Sequence, residues 1–190
     1  MSSNVFLIHG YNGIPKIYGW LEQELKKLGY NVIVPKFEPR EGVVYESWKK
    51  VLNNYKKYIN EESIIVAHSI GNEFVMKYFS ENDLKAKLYI GLAGFSKYFE
   101  WEDKQDLNRA CKEFLVTERE LKSFKNRCTK RYSIYSNNDH IVPFNILQEY
   151  PKDIDAIPIL IENIGHMGKK SGLEEIPRVI EIIKENGENR

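Results

Sequence analysis

One short segment places a serine where a nucleophile could be activated. Ser69 lies in Ala67-His68-Ser69-Ile70-Gly71, directly after the apolar run Ser63–His68 and directly before a segment of helical period. A serine on a sharp strand-to-helix turn stands above the sheet, and the residues two before and two after it must be small. Ala67 and Gly71 meet that requirement, with alanine replacing the first glycine of G-x-S-x-G. The pattern predicts a nucleophile; a serine that only caps the helix is the alternative interpretation.

Two further residues have the types and positions that would activate such a serine. A serine nucleophile needs a neutral imidazole to accept its proton and a carboxylate to orient that imidazole. His166 follows the apolar run Ile157–Glu162 in a glycine-rich loop and is the candidate base. Asp139 is the only carboxylate in the loop after Arg131–Ser136 and is the candidate orienting acid. All three would follow strands at their carboxyl ends, where open α/β sheets bind ligands, so we expect them to meet.

Each of these assignments has an alternative interpretation. His166 could be a solvent-exposed loop histidine, and Asp139 could be an Asx-turn residue. His140, which directly follows Asp139, remains a second candidate base. His68 directly precedes Ser69 and is expected to point away from the site, because successive side chains of a strand point to opposite faces.

The loop after the first apolar run supplies candidate donors for a developing oxyanion. The sequence His9-Gly10-Tyr11-Asn12-Gly13 ends the run Val5–His9. We expect the backbone N–H groups of Tyr11 and of Ile70 to form an oxyanion hole, with His9 fixing the loop by a hydrogen bond. Neither G-x-x-x-x-G-K-[ST] nor G-x-G-x-x-G occurs, so the loop does not have a phosphate-binding pattern.

Apolar, β-branched runs alternate with helix-period segments along the sequence. The predicted strands are Val5–His9, Asn31–Pro35, Ser63–His68, Lys87–Leu92, Arg131–Ser136 and Ile157–Glu162. The predicted helices are Pro15–Leu28, Tyr45–Ile59, Ile70–Phe79 and one that begins near Pro177. Several runs have few polar residues on either face, which indicates a parallel sheet covered on both sides. The predicted fold class is α/β: a three-layer, doubly wound, mostly parallel sheet of about six strands, without a large cap.

The domain organisation expected from length is one domain over residues 1–190. Residues 95–130 form a longer connection than a crossover needs, part of it charged and helical in pattern, and they are a candidate small lid. Aromatic side chains in this connection would either line a substrate pocket or pack the connection down; they are Phe95, Tyr98, Phe99 and Trp101.

Composition narrows the function classes. The formal net charge is +1, which gives no electrostatic case for nucleic acid or an anionic membrane as the main partner. Cys111 and Cys128 form neither a disulfide framework nor a metal-ligand spacing, so we expect a reduced pair. The sequence shows no signal-peptide pattern and no apolar run long enough for a membrane helix, so a cytoplasmic protein is expected.

Together these segments resemble the α/β-hydrolase superfamily, and within it the small single-domain group of the retinoblastoma-binding serine hydrolase and the YdeN-like bacterial hydrolases. The motifs that carry the resemblance span nearly the whole chain: Phe6–Tyr11, Trp20-Leu21, Ala67–Gly71, Ser136–Phe144 and Ile164–His166. The resemblance implies Ser69 as nucleophile, Asp139 as orienting acid and His166 as base, in the chain order of this superfamily. Three positions depart from it: Ala67 replaces glycine, His140 stands where proline is usual, and Asn72 is larger than the usual small residue.

The function predicted is hydrolysis of carboxylic esters, or of amides or thioesters, through an acyl-enzyme on Ser69. The substrate would be a small acyl compound, and the chemistry needs neither a metal nor an organic cofactor. A protein-binding module on a hydrolase scaffold with little turnover is the main alternative, because fold does not fix function. A non-hydrolytic lyase or transferase of the same superfamily is a second alternative.

Overall fold

The computed structural model describes residues 3–169 and 171–187, and within them the chain forms six β-strands and seven α-helices. The strands are β1 (Asn4–Ile8), β2 (Asn31–Ile33), β3 (Ile64–His68), β4 (Ala86–Leu92), β5 (Cys128–Tyr135) and β6 (Ile157–Leu160). The helices are α1 (Lys16–Lys27), α2 (Tyr45–Asn53), α3 (Gly71–Asn82), α4 (Gln105–Phe114), α5 (Glu118–Phe124), α6 (Phe144–Asp153) and α7 (Pro177–Gly187). None of these helices is long and apolar enough to cross a membrane.

All six strands are parallel and form one sheet in the order β2-β1-β3-β4-β5-β6. This confirms the predicted α/β class and its parallel sheet. Every residue of β3 is buried, as expected for a strand covered on both faces. The direction of strand addition reverses between β1 and β3, so the helices that follow these strands lie on opposite faces. The crevice at their carboxyl ends is where open sheets of this kind bind ligands.

The helices follow from amphipathic patterns with local stop signals. Helix α1 buries Ile17, Tyr18, Leu21 and Leu25 on one stripe. It ends just before Gly29, whose φ of 83° is a left-handed conformation that glycine adopts without a Cβ clash. The predicted helix Tyr45–Ile59 is shorter in the structure, because α2 ends at Asn53 and a separate 3-10 turn covers Lys56–Tyr58. Asn53 and Asn54 are weak helix formers, which accounts for the break.

An aromatic core fixes the helix that begins two residues after Ser69. Phe37 and Trp48 stack with ring centroids 4.6 Å apart, and Phe74 of α3 meets Trp48 edge-on at 5.4 Å. Phe114 of α4 contacts the Trp48 ring at 5.1 Å. Each of these large rings is buried, so α3 cannot shift along the sheet without opening this core.

Candidate active site

Ser69 occupies a strained turn between β3 and α3. Its φ is 54°, in the left-handed region, which costs a residue with a side chain about 1–2 kcal/mol. The turn also brings α3 close to the loop after β1. A Cβ on Gly71 would lie 2.6 Å from the backbone oxygen of His9, so only glycine fits there. The strand, the turn and the close approach are the features of a nucleophile elbow.

Asp139, His166 and Ser69 are joined by two hydrogen bonds. His166 Nδ1–H donates to Asp139 Oδ2 at 2.8 Å, and the Ser69 hydroxyl lies 3.1 Å from His166 Nε2. Because the carboxylate accepts at Nδ1, the proton of a neutral imidazole sits there and Nε2 is free to accept from Ser69. The side chain of His140 is exposed and outside this relay, so the structure brings His166, rather than His140, onto Ser69.

The carboxylate of Asp139 is held in its charged form. Its side chain is fully buried, which alone would raise its pKa. The hydrogen bond from His166 and the backbone N–H groups of Ile141 and Val142, at 2.7 and 2.9 Å, outweigh that burial. The net effect is a pKa of Asp139 below its ordinary value. A buried carboxylate that stays ionised can orient the imidazole and stabilise its positive charge.

The loop that carries Asp139 is tied to the loop that carries His166 by side-chain acceptors. Three consecutive side chains before Asp139 accept hydrogen bonds from three consecutive backbone N–H groups before His166. The pairs are Ser136 with Ile164 at 3.1 Å, Asn137 with Asn163 at 2.9 Å and Asn138 with Gly165 at 2.8 Å. Sequence reasoning missed this clamp, although a run of short polar acceptors directly before the acid is its signal.

His68 does not point away from the site, contrary to the expectation from strand alternation. Its ring lies 4.9 Å from the ring of His166, centroid to centroid, and its Nε2 lies 2.7 Å from the backbone oxygen of His166. A carbonyl only accepts, so Nε2 carries the proton. Burial, reinforced by the neighbouring His166, lowers the pKa of His68 to about 3. The His68 side chain is therefore a neutral hydrogen-bond donor that holds the backbone of His166 in place.

The predicted oxyanion donors belong to two segments that meet at Ser69, because a Cβ on Gly10 would lie 2.9 Å from Ser69 Cβ. Tyr11 lies in the loop after β1, and Ile70 immediately precedes α3. No hydrogen bond within residues 3–169 and 171–187 uses the backbone N–H of either residue. His9 holds the loop as expected: its Nδ1 lies 2.8 Å from the Gly10 oxygen, and Phe37 N–H donates to its Nε2 at 3.2 Å. Neither N–H group has an acceptor among these residues, and their role as oxyanion donors stays a prediction.

A cavity of about 670 Å³ opens beside Ser69 and His166. Its wall includes His68, Tyr11 and the first turn of α4. Charged side chains contribute much of the remaining lining; they are Glu102, Asp103, Lys104, Asp106 and Lys169. The cavity wall thus combines charged side chains with apolar surface.

The four aromatic residues expected to line a substrate pocket do not line this cavity. Phe95 is buried, Phe99 packs on Trp101 with ring centroids 4.1 Å apart, and Tyr98 donates a hydrogen bond to Glu100 at 2.9 Å. Trp101 Nε1–H donates to the backbone oxygen of Ile141 at 2.6 Å, in the loop that carries Asp139. The cluster therefore packs the connection down and supports the acid loop, which is the second of the two arrangements considered from sequence.

Residues that could hold a metal ion are not grouped together here. Across the described ranges, no three His, Cys, Asp or Glu side chains lie together as a ligand set. Cys111 and Cys128 are free thiols, and both are buried. Burial raises the pKa of Cys128 to about 12, so this thiol is a protonated core residue.

The sheet order, the elbow and the relay from Asp139 to Ser69 are those of the α/β-hydrolase fold. A family model described as serine hydrolase matches residues 5–185, and the chain belongs to that family. The chain is 25% identical to YdeN of Bacillus subtilis (strain 168) over 187 residues, which cover 96% of this chain and 95% of YdeN.

Solved structures show the same fold. The crystal structure of the B. subtilis ydeN gene product superposes with a TM-score of 0.83 at 22% identity, covering 98% of this chain and 99% of that one. A bromoperoxidase from Bacillus anthracis superposes with a TM-score of 0.75 at 15% identity, covering 97% and 92% of the two chains. These comparisons agree with a small serine hydrolase built on the α/β-hydrolase fold.

Proposed function

We propose that this serine hydrolase cleaves carboxylic esters, with amides and thioesters as related acyl substrates, through an acyl-enzyme on Ser69. The observation that carries the proposal is the unbroken relay from Asp139 through His166 to the Ser69 hydroxyl at the wall of the cavity. A strained turn, a correctly placed imidazole proton and a buried carboxylate together form an activated serine.

The reaction follows from the positions of these groups. Ser69 Oγ attacks the substrate carbonyl carbon while its proton passes to His166 Nε2. The carbonyl oxygen becomes an oxyanion that accepts hydrogen bonds from the Tyr11 and Ile70 N–H groups. His166 then gives its proton to the leaving alcohol, and the C–O bond to that alcohol breaks. A water molecule, deprotonated by His166, then attacks the carbonyl carbon of the acyl-enzyme. The bond from that carbon to Ser69 Oγ breaks, His166 returns the proton to Oγ, and the carboxylic acid is released.

The lining of the cavity favours short or polar acyl groups. Five charged side chains border the space beside Ser69, and their hydration would be lost against a long alkyl chain. Residues 95–130 contribute Glu102–Leu107 to one wall, and we propose this connection as a small lid. Ser69, His166 and Asp139 supply nucleophile, proton transfer and charge stabilisation themselves, so the proposed chemistry calls for no cofactor.

The alternative of a protein-binding module would be favoured by an exposed aromatic patch in residues 95–101. Phe95 is buried and Phe99 and Trp101 are half-buried against it, so the patch is turned inward. The small acyl substrate is therefore the proposed partner. The free, buried cysteines fit a reducing compartment, and we propose the cytoplasm as the location.

The test of the function is turnover of p-nitrophenyl acetate, butyrate and palmitate by the native protein and by Ser69→Ala. We expect turnover of acetate and butyrate, a lower kcat/KM for palmitate, and an acetyl group on Ser69 in quenched samples by mass spectrometry. Turnover that survives in Ser69→Ala, or an acyl group on another residue, would show that the assignment is wrong.

A further inference from the structure

Asn72, the residue that departs from the usual small side chain after the elbow, lies directly behind Ser69. It belongs to the first turn of α3 and is fully buried. Its side-chain Nδ2 donates to the backbone oxygen of Ser69 at 2.7 Å and to the backbone oxygen of Leu92 at 3.2 Å. The same Leu92 oxygen accepts the Ser69 N–H at 2.9 Å. One amide thus bridges the carbonyl of the strained serine to the end of β4.

The oxygen of the Asn72 amide is equally well satisfied. Tyr89 donates its hydroxyl proton to Asn72 Oδ1 at 2.6 Å, and the Tyr150 hydroxyl lies 2.8 Å from that of Tyr89. Since Tyr89 has one proton and Asn72 Oδ1 can only accept, Tyr150 is the donor to Tyr89. The chain of hydrogen bonds runs in one direction, from Tyr150 through Tyr89 and Asn72 to the Ser69 carbonyl. Each bond polarises the next, so the amide becomes a stronger donor.

The backbone leaves room for the Asn72 amide at Gly91, which has no side chain. A Cβ on Gly91 would lie 2.7 Å from Asn72 Oδ1, so a glycine in β4 faces the amide. Tyr89 and Tyr150 are also fully buried. A buried polar network of this kind is stabilising only when every member is paired, as the amide and the Tyr89 hydroxyl are here.

We propose that Asn72, supported by Tyr89 and Tyr150, is a positioning residue for the nucleophile, an inference that rests on the proposed function of Ser69. The amide holds the Ser69 carbonyl and the end of β4 together, and so stabilises the left-handed conformation at Ser69. That conformation sets the direction of Oγ toward His166 and the placement of the Ile70 N–H. The network contacts neither the substrate cavity nor His166, so its effect should fall on acylation rather than on substrate binding.

The test removes single hydroxyl groups without changing side-chain shape. Tyr89→Phe and Tyr150→Phe would be compared with Tyr78→Phe, a matched control on α3 whose hydroxyl donates to Asn53 at 2.7 Å. Saturation kinetics with a fluorophosphonate separate the limiting rate of Ser69 phosphonylation from the binding constant, and thermal unfolding reports stability. Asn72→Ala is the stronger variant if it folds.

We expect the limiting phosphonylation rate of Tyr89→Phe to fall about tenfold with little change in the binding constant, since a misplacement of 1 Å can cost about a hundredfold. Tyr150→Phe should show a smaller fall and Tyr78→Phe none, at a similar loss of thermal stability. Equal rates for Tyr89→Phe and the native protein, or an equal fall in Tyr78→Phe, would overturn the inference. Failure of the native protein to label at Ser69 would instead overturn the proposed function.

Discussion

The substitution Asp139→Asn tests the electrostatic part of the relay with almost no change in shape. In the native protein one carboxylate oxygen, Oδ1, accepts the Ile141 and Val142 N–H groups, and the other, Oδ2, accepts from His166 Nδ1. An asparagine can present only one oxygen. If its NH₂ group faced the two backbone donors, both would lose their partner at a cost of about 1–3 kcal/mol each. The amide oxygen therefore stays with the backbone, and the NH₂ group faces His166.

This arrangement forces His166 into the wrong tautomer. With an NH₂ donor at Nδ1, the imidazole proton moves to Nε2, which then cannot accept the proton of Ser69. Returning to the productive tautomer costs about 2–6 kcal/mol from the two unpaired donors, and each 1.4 kcal/mol is about tenfold. We expect kcat to fall by about 10³–10⁴, in line with the loss of about 10⁴ seen for this change in a Ser-His-Asp protease. Asp139 does not line the cavity, so KM should change little.

The assay is steady-state hydrolysis of p-nitrophenyl butyrate with circular dichroism to verify the fold. Asp153→Asn is the matched control, because its carboxylate accepts the Ser96 hydroxyl at 2.7 Å outside the relay. We expect Asp153→Asn to retain native kcat. A kcat for Asp139→Asn within tenfold of the native value, in a folded protein, would refute the tautomer argument.

Three further predictions concern single residues. Glu73 is fully buried, and neither of its carboxyl oxygens has a hydrogen-bond partner among the described residues. Burial raises the pKa of Glu73 above the value near 4.5 that it has in the unfolded chain. The contribution of the protonated side chain to stability is therefore complete below pH 4.5 and is lost as the pH rises toward the folded pKa. In urea unfolding, the free energy of unfolding should fall by up to about 1.4 kcal/mol per pH unit, and Glu73→Gln should abolish this fall. The same dependence of unfolding free energy on pH in both proteins would contradict this. Asn138→Ala removes the acceptor for the Gly165 N–H and should lower kcat about tenfold. Asn138→Asp keeps an acceptor and should recover most of the native kcat. Equal ester kinetics in the two variants would count against the clamp. Gly71→Ala should destabilise the protein by about 1–3 kcal/mol in thermal unfolding, because the new Cβ would lie 2.6 Å from a backbone oxygen. Gly19→Ala, whose Cβ would have nothing within 4 Å, should stabilise the protein by about 0.5–1 kcal/mol. Equal effects of the two substitutions would contradict the steric argument.

Local sequence patterns predicted the fold because its strands and most of its helices are defined by local periodicity. All six predicted strands are present, and no strand end shifts by more than three residues. Helix α6 was not predicted; it follows Pro143 and carries Pro151 in its last turns. A proline normally argues against a helix because it has no N–H to donate to the carbonyl four residues earlier, and α6 ends two residues after Pro151.

The site was predictable only where a residue's role follows from its place on a strand end. Ser69, Asp139 and His166 were found in this way, and the structure brings them within hydrogen-bonding distance. Strand alternation failed for His68 because Ser69 has already left the strand and turned the chain at its left-handed φ. The sequence does not explain Asn72 because its partner Tyr89 is 17 residues away, on β4.

The packing of the aromatic residues in residues 95–130 also depends on contacts that are distant in sequence. The sequence leaves open whether Phe95, Phe99 and Trp101 line a substrate pocket or pack the connection down, because the outcome depends on the position of α4. The structure places α4 so that its first turn, and not the aromatic cluster, borders the cavity. The hydrogen bond from Trp101 to the Ile141 carbonyl, 40 residues away, has no local signal in the sequence.

The proposed function depends above all on the activation of Ser69 as a nucleophile. The most direct test treats the native protein, Ser69→Ala and His166→Ala with a fluorophosphonate probe and maps the adduct by mass spectrometry. Ser133→Ala is the matched control, since it removes another buried serine hydroxyl that makes no hydrogen bond within the described residues. We expect one adduct, on Ser69, in the native protein and in Ser133→Ala, and no adduct in the other two variants. A folded native protein that does not label, or that labels at another residue, would contradict it.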